Sequence, residues 1–514
     1  MDSKIVFGVD IGTTSTKTVA YTPDGILMFE AEKEYPLYSP DPTKKEQDPE
    51  EIMRAVLFTL SEIFRKVTNY GGRIIGVGLS SAMHSLLGLD ANGRPLTNVI
   101  TWADQRSAQE VEDLKANGKG HDVYLRTGTP LHPMSPLSKL IWFNTHEPEL
   151  KQAVHKWVSI KEYVIFRLFG QYVVDYSIAS ATGLFNLRNL DWDDMALQAA
   201  SITREQLSKP ISTTSILSGI NPEVAKEIGL LEEIPFVIGA SDGVLANLGV
   251  GAIQPGVIAC SIGTSGAVRT IVDQPITDPQ GRLFCYALTE DKWVVGGPTN
   301  NGGIALQWLR DSLFPEAKKL SQEESMEPYE WLINEAKSVP AGAEGLLFLP
   351  YLLGERAPQW NSKSKGVFFG LTLGHGRKHM IRSVLEGVLF QLNTVVKTME
   401  EVGISPKEIR ANGGFARSNV WCQMMADIFH TPISFPESHQ SACFGAATLV
   451  LKALGEIEAL EEIVPLVSIT KRLEPHTEEA TIYEAYKSLF RNIGEKLTPD
   501  FELLADITWR RNQQ

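Results

Sequence analysis

One stretch of this chain occurs twice. Val6-Phe7-Gly8-Val9-Asp10-Ile11-Gly12-Thr13-Thr14-Ser15 and Val257-Ile258-Ala259-Cys260-Ser261-Ile262-Gly263-Thr264-Ser265-Gly266 share an apolar lead, a Gly-Thr turn and a return strand. Two copies of one uncommon hairpin, one opening each half, point to a duplicated domain. With 514 residues the chain exceeds what one hydrophobic core can organise and suits two large ones. Gly and Pro gather over Gly249–Gly256, so the expected domains are 1–250 and 251–514.

Local patterns fill in an α/β chain. Ile5–Ile11, Lys17–Thr22 and Ile26–Tyr35 read as a β-meander, with a tight turn at Asp24-Gly25. A helix follows: Asp48 caps it, Pro49 takes its first position, and Glu51 is placed to close a capping box. Ile52, Val56, Leu60, Ile63 and Val67 recur at helical spacing, and Tyr70-Gly71-Gly72 ends the run. Ile74–Leu79 is the next strand, and strands and helices alternate onward. From about Glu456 the tail reads as helical and charged.

Composition excludes some functions. The net charge of -14 gives no overall field for holding nucleic acid or an anionic membrane, and neither is an expected partner. No run reaches the ~18 apolar residues of a membrane span, and Met1–Ile11 passes directly into a strand pattern, so a cytoplasmic protein is expected. Cys260, Cys285, Cys422 and Cys443 lie far apart and read as buried free thiols.

The chemistry-bearing residues cluster at predicted turns. Glycine at a hairpin exposes backbone N–H groups, and Thr13, Thr14, Ser15 and Thr264 add hydroxyls, so Gly12 and Gly263 open cradles for phosphate oxygens. Asp10, just before the first turn, can hold a hydrated Mg²⁺, and Lys17 adds a positive charge. Asp242, between small residues after an apolar strand, can approach a ligand and accept the proton of an attacking hydroxyl. Met83-His84-Ser85 and Trp102 to Arg106, with Asp104 between, combine aromatic, carboxylate and guanidinium groups suited to a polyhydroxy ligand. Gly413-Gly414 before Ser418, and Gly302-Gly303 before a helix, let a flat ring lie against backbone.

Together these features resemble the FGGY carbohydrate kinases, of the actin and hexokinase fold group. The most specific stretch is Gly366-Val367-Phe368-Phe369-Gly370-Leu371 followed, seven residues on, by His379-Met380-Ile381-Arg382-Ser383-Val384-Leu385-Glu386. The resemblance implies two duplicated actin-like (ribonuclease H-like) ATPase domains with a cleft between the lobes, ATP as co-substrate and Mg²⁺ as cofactor. It implies Asp242 as catalytic base and Thr13, Thr14, Ser15 and Lys17 as the first phosphate loop. It places Thr264 at the second phosphate contact, and Gly303, Gln307, Gly413, Gly414 and Ser418 at the nucleotide. Ser418 stands where some members carry Asn. Met83 and His84 fall where members hold sugar hydroxyls.

Within the family, Ser80–Ser85, Ile100–Asp104, Arg126–Met134 and Val173–Ser177 are most similar to the members that phosphorylate gluconate. A carboxylate substrate demands an extra donor or cation, for which His84, Arg106, His132, Lys139 and Lys161 are the candidates. A kinase for a neutral ketopentose is the second reading, and a nucleotide-driven assembly module of the actin type a third. A homodimer is the assembly to expect.

Overall fold

The computed structural model describes residues 4–230, 232–437 and 440–512. Contacts divide the chain into two compact units. One comprises Met1–Pro255, Ile271–Val295 and Gln440–Ser468; the other comprises Gly256–Thr270, Gly296–His439 and Ile469–Gln514. The chain therefore returns to the first unit twice after residue 250.

The first unit is built on strands β1 (Lys4–Ile11), β2 (Ser15–Tyr21), β3 (Leu27–Glu34), β4 (Arg73–Ser81), β5 (Ile216–Leu217) and β6 (Phe236–Ser241). They form one sheet in the order β5-β6-β4-β1-β2-β3. β1, β4 and β6 run parallel, while β2 and β5 run antiparallel to their neighbours β1 and β6. Parallel strands need both faces covered. Helix Pro49–Tyr70 covers one, burying Ile52, Val56, Leu60, Ile63 and Val67. Its Asp48 cap accepts from the Glu50 N–H at 2.7 Å, and Gly71 ends it in a left-handed turn. Glu51 closes no capping box; its carboxylate accepts from the Tyr38 hydroxyl at 3.1 Å.

Helix Ser441–Ala453 covers the other face of β1 and β4 and packs against helix Asp242–Gly249. Glycines make this approach possible. A Cβ on Gly8 would stand 1.9 Å from the Cys443 carbonyl oxygen, and one on Gly78 would stand 2.3 Å from that of Ala446. Both obstacles are backbone, so no rotamer change can clear them. Gly8→Ala is expected to lower the unfolding free energy by about 3 kcal/mol, with a matching fall in the urea midpoint at unchanged m. A loss under ~0.5 kcal/mol would mean that the helix moves away at little cost.

The second sheet contains β7 (Val257–Ile262), β8 (Gly266–Val272), β9 (Phe284–Ala287), β10 (Trp293–Thr299), β11 (Glu408–Asn412), β12 (Ile433–Pro436) and β13 (Ile469–Leu473). Its order is β9-β10-β8-β7-β11-β12-β13. An antiparallel hairpin β7–β8, parallel β7, β11 and β12, and an antiparallel β13 repeat the arrangement of the first sheet. The two hairpins differ in length: Ile11 pairs with Thr16, but Ile262 pairs with Gly266, one residue sooner. The tail is not wholly helical. Ile469-Thr470-Lys471-Arg472-Leu473 pairs with β12 as an edge strand, with Arg472 exposed and Lys471 half-buried over the Phe435 ring. Among the described residues no helix is long and apolar enough to cross a membrane, and all four cysteines are buried free thiols.

Candidate active site

Strand register in the first unit gathers the predicted residues at one edge. Asp10 on β1 pairs with Ser80 on β4, and Ser80 pairs with Ala240 on β6. Asp10, the Met83-His84 loop and Asp242 thus lie at or just beyond the carboxyl ends of three adjacent parallel strands, where open α/β sheets bind ligands. The Ser80 hydroxyl donates to Asp10 at 2.7 Å, and burial pushes the Asp10 carboxyl above its ordinary range. A cation beside it would offset that cost. In the second hairpin Ser261 stands at the position equivalent to Asp10, so only the first copy carries this carboxylate.

The first hairpin is braced from several sides. The Thr13 hydroxyl accepts from the Trp102 indole at 2.9 Å, and the Thr13 carbonyl accepts from the Gln47 amide at 2.5 Å. The Tyr35 hydroxyl donates to the Gly12 carbonyl at 2.7 Å. Thr14 is exposed at the tip. Ser15 donates to Glu32 at 2.7 Å, and Lys17 Nζ lies 3.3 Å from the same carboxylate. Glu32 and Gln47 were not among the expected residues. The meander itself held the signal for Glu32, since β2–β3 pairing sets it directly opposite Lys17. A phosphate at this hairpin would compete with Glu32 for both donors.

Of the five candidate carboxylate-binding groups, three are committed to the protein. Arg106 donates to Asp104 at 2.8 Å, bridges to Glu46, and stacks over Trp142 at 5.3 Å. Lys139 is wholly buried and donates to the carbonyls of His84 at 2.7 Å and Thr101 at 2.8 Å, with Ile100 at 3.5 Å. Burial pushes its ammonium down to about 7. Lys161 donates to Asp175 at 2.8 Å and to the Ala240 carbonyl at 3.0 Å. The two histidines are held differently. His84 adopts φ 67°, and its Nδ1–H donates to the Ala181 carbonyl at 2.7 Å. His132 Nδ1 accepts from the Met134 N–H at 3.1 Å, which puts the proton of the neutral ring on Nε2 and makes that nitrogen a donor. Met83 is half-buried between two core clusters.

Asp242 opens helix Asp242–Gly249, and its Oδ1 accepts from the Gly243 N–H at 2.6 Å. A buried lattice supports it. The Ser241 and Ser177 hydroxyls lie 2.8 Å apart, and the Ser241 N–H donates to Ser177 at 3.1 Å. Asp175 caps helix Tyr176–Ser180, accepting from the Ile178 N–H at 2.8 Å.

In the second unit the expected nucleotide residues split into two groups. Gly263, Thr264 and Gly303 come together. The Gly303 N–H donates to the Gly263 carbonyl at 2.7 Å, and those of Gly302 and Ile304 donate to the Thr264 carbonyl at 3.1 Å. A Cβ on Gly302 would stand 2.5 Å from the Ser265 carbonyl oxygen, so this contact needs glycine. Gln307 is exposed on the same short helix, Gly303–Trp308. Gly413, Gly414 and Ser418 form the other group after β11. Gly413 takes φ 109° against the Ile262 backbone at the foot of the hairpin, which brings this turn beside β7. Ser418 caps helix Asn419–Phe429, accepting from the Trp421 N–H at 3.2 Å. Glu355 went unnoticed in the sequence. It is fully buried and accepts from the Asn300 N–H at 2.6 Å and the Asn301 amide at 3.1 Å, fixing the segment that enters Gly302-Gly303. Burial pushes its carboxyl up to about 7.

Two lobes with matching hairpins, each setting glycines and hydroxyls at the carboxyl ends of parallel strands, define a phosphotransferase of the duplicated actin-like class. Residues 5–249 match the FGGY family of carbohydrate kinases, N-terminal domain, and residues 258–454 match its C-terminal domain. The chain belongs to that family and is a carbohydrate kinase. It is 47% identical to the gluconokinase of Bacillus subtilis over 98% of both chains. Among solved structures, a gluconate kinase from Lactobacillus acidophilus superposes with a TM-score of 0.92 at 38% identity, covering 98% of this chain and 99% of that one. A ligand-bound xylulose kinase from the same organism gives the same TM-score and identity, covering 98% and 100%. Structural likeness alone therefore does not separate the two acceptors.

Proposed function

We propose that the chain transfers the γ-phosphoryl group of ATP to a terminal hydroxyl of D-gluconate, giving 6-phosphogluconate in the cytoplasm. The likeness to a gluconokinase over nearly the whole of both chains carries the choice of acceptor. In this reading Asp242 orients the attacking hydroxyl and takes its proton. Lys17 and the N–H groups of the Gly12–Ser15 hairpin meet charge on the phosphates. Gly263, Thr264, Gly303, Gln307, Gly413, Gly414 and Ser418 hold the nucleotide. The tautomer of His132 suits it to donate to the acceptor carboxylate, with His84, Met83 and Trp102 at the hydroxyls.

Asp10, oriented by Ser80, would hold a magnesium ion, whose charge offsets that of the phosphate oxygens. The donor set fits Mg²⁺. Among the described residues no group of three or more His, Cys, Asp or Glu could cage a metal, and Mg²⁺ commonly takes one or two carboxylates and completes its shell with phosphate and water. The transition state of phosphoryl transfer is loose, so placing the two substrates in line contributes more than proton removal.

The xylulose kinase likeness keeps a neutral ketopentose as the second reading. A panel of D-gluconate, D-xylulose and glycerol in an ADP-coupled assay separates them. We expect kcat/KM for gluconate to exceed that for xylulose by about 100-fold or more, since a site built around a carboxylate leaves polar groups unpaired without it. The reverse order would assign the enzyme to the ketopentose.

A further inference from the structure

We propose that Lys139 is a positioning residue: its ammonium ties the His84 loop and the Thr101-Trp102 loop into one acceptor-binding surface without itself touching the acceptor. The proposal rests on reading those two loops as the acceptor site. Three observations carry it. The side chain has no exposure, so a ligand can reach it only if the loops part. An ammonium has three donors, and here they point to three backbone carbonyls: His84 at 2.7 Å, Thr101 at 2.8 Å and Ile100 at 3.5 Å. The two loops also meet at the bridge between Leu86 and Ile100, whose N–H···O bonds measure 3.0 and 2.8 Å, so Lys139 adds its bonds where the loops already converge.

The geometry also explains why a charged residue is kept in so buried a place. His84 has a left-handed backbone, costing a non-glycine residue about 1–2 kcal/mol, and such a conformation persists only where its surroundings hold it. Its surroundings here include a bond from the ring to the Ala181 carbonyl, the bond from Lys139 to the His84 carbonyl, and the Tyr286 ring packed edge-on at 5.8 Å. On the other loop, the Thr101 carbonyl precedes Trp102, whose indole reaches the Thr13 hydroxyl. One ammonium on helix Pro136–His146 therefore fixes a strained acceptor residue and the brace of the phosphate hairpin together.

Hydrogen exchange on the acceptor-free full-length protein, paired with steady-state kinetics, tests the proposal. In Lys139→Met, protection should fall about tenfold or more in peptides covering 82–86 and 99–106 and stay unchanged in the second unit. The KM for gluconate should rise about 30-fold, with the KM for ATP within about twofold. Unchanged exchange with a raised gluconate KM would make Lys139 a direct ligand of the acceptor and overturn the proposal. So would unchanged values of both. Altered exchange with an unchanged KM would show that the tied loops are not the acceptor surface. If exchange rises throughout, the same measurements on Lys139→Gln, which keeps two N–H donors, decide between these outcomes. If the wild type turns over a different acceptor, that result falls on the substrate assignment alone, and the KM comparison is made with that acceptor.

Discussion

Asp242→Asn is expected to bind ATP with wild-type affinity and to lose kcat by about 10²–10⁴-fold, the usual contribution of a positioned base. Asp242 Oδ1 accepts from the Gly243 N–H, and asparagine keeps an oxygen able to accept that bond. The lattice beneath runs from Ser241 to Ser177 and from Asp175 to Lys161. The amide keeps nearly the same shape but gives up the negative charge, one acceptor oxygen and the capacity to take a proton. Equilibrium ATP binding and ADP-coupled turnover of gluconate report the two effects separately. A loss under about tenfold would leave Asp242 an orienting group and move proton acceptance to water or the phosphate itself, which a loose transition state permits.

What the sequence disclosed follows the range of the interactions. The repeated hairpins, their lead strands and the helix capped by Asp48 depend on residues close together, and each was readable from spacing alone. The positions of Asp10 and Asp242 at strand ends were readable for the same reason. The fates of Arg106, Lys139 and Lys161 were not. A lysine whose donors are filled by carbonyls looks the same in sequence as one facing a ligand. The carbonyls that fill Lys139 lie 38 to 55 residues away. Gly8 shows the limit more sharply: in the sequence it is one residue of the apolar lead strand, yet its lack of a side chain is demanded by the backbone of Cys443. Glu355 stayed hidden because nothing local distinguishes a buried carboxylate holding Asn300 and Asn301 from an exposed one. The strand Ile469–Leu473 was missed because its Lys and Arg suit a charged helix equally well.

Lys161→Met should cost about 3–5 kcal/mol of stability, the usual result of leaving half of a buried ion pair behind. Both members of the Lys161–Asp175 pair are about 1% exposed. Burial pushes the lysine ammonium below its ordinary range even with Asp175 beside it. Without the lysine, Asp175 keeps its bond from the Ile178 N–H and loses its counter-charge. Its carboxyl would then prefer the protonated form in the folded protein more than in the unfolded chain. The folded state would bind the extra proton, so the deficit should shrink as pH falls and grow as pH rises. Lys161→Met combined with Asp175→Asn removes the stranded charge and should recover part of the loss at neutral pH. Turnover should not recover with it, because the Ala240 carbonyl, two residues before Asp242, still lacks its donor. Urea unfolding of the single and double variants across pH, with kcat measured on each, checks both halves. A single variant as stable as the wild type, or a double variant with wild-type kcat, would mean that this pair does not hold the strand end on which Asp242 is mounted.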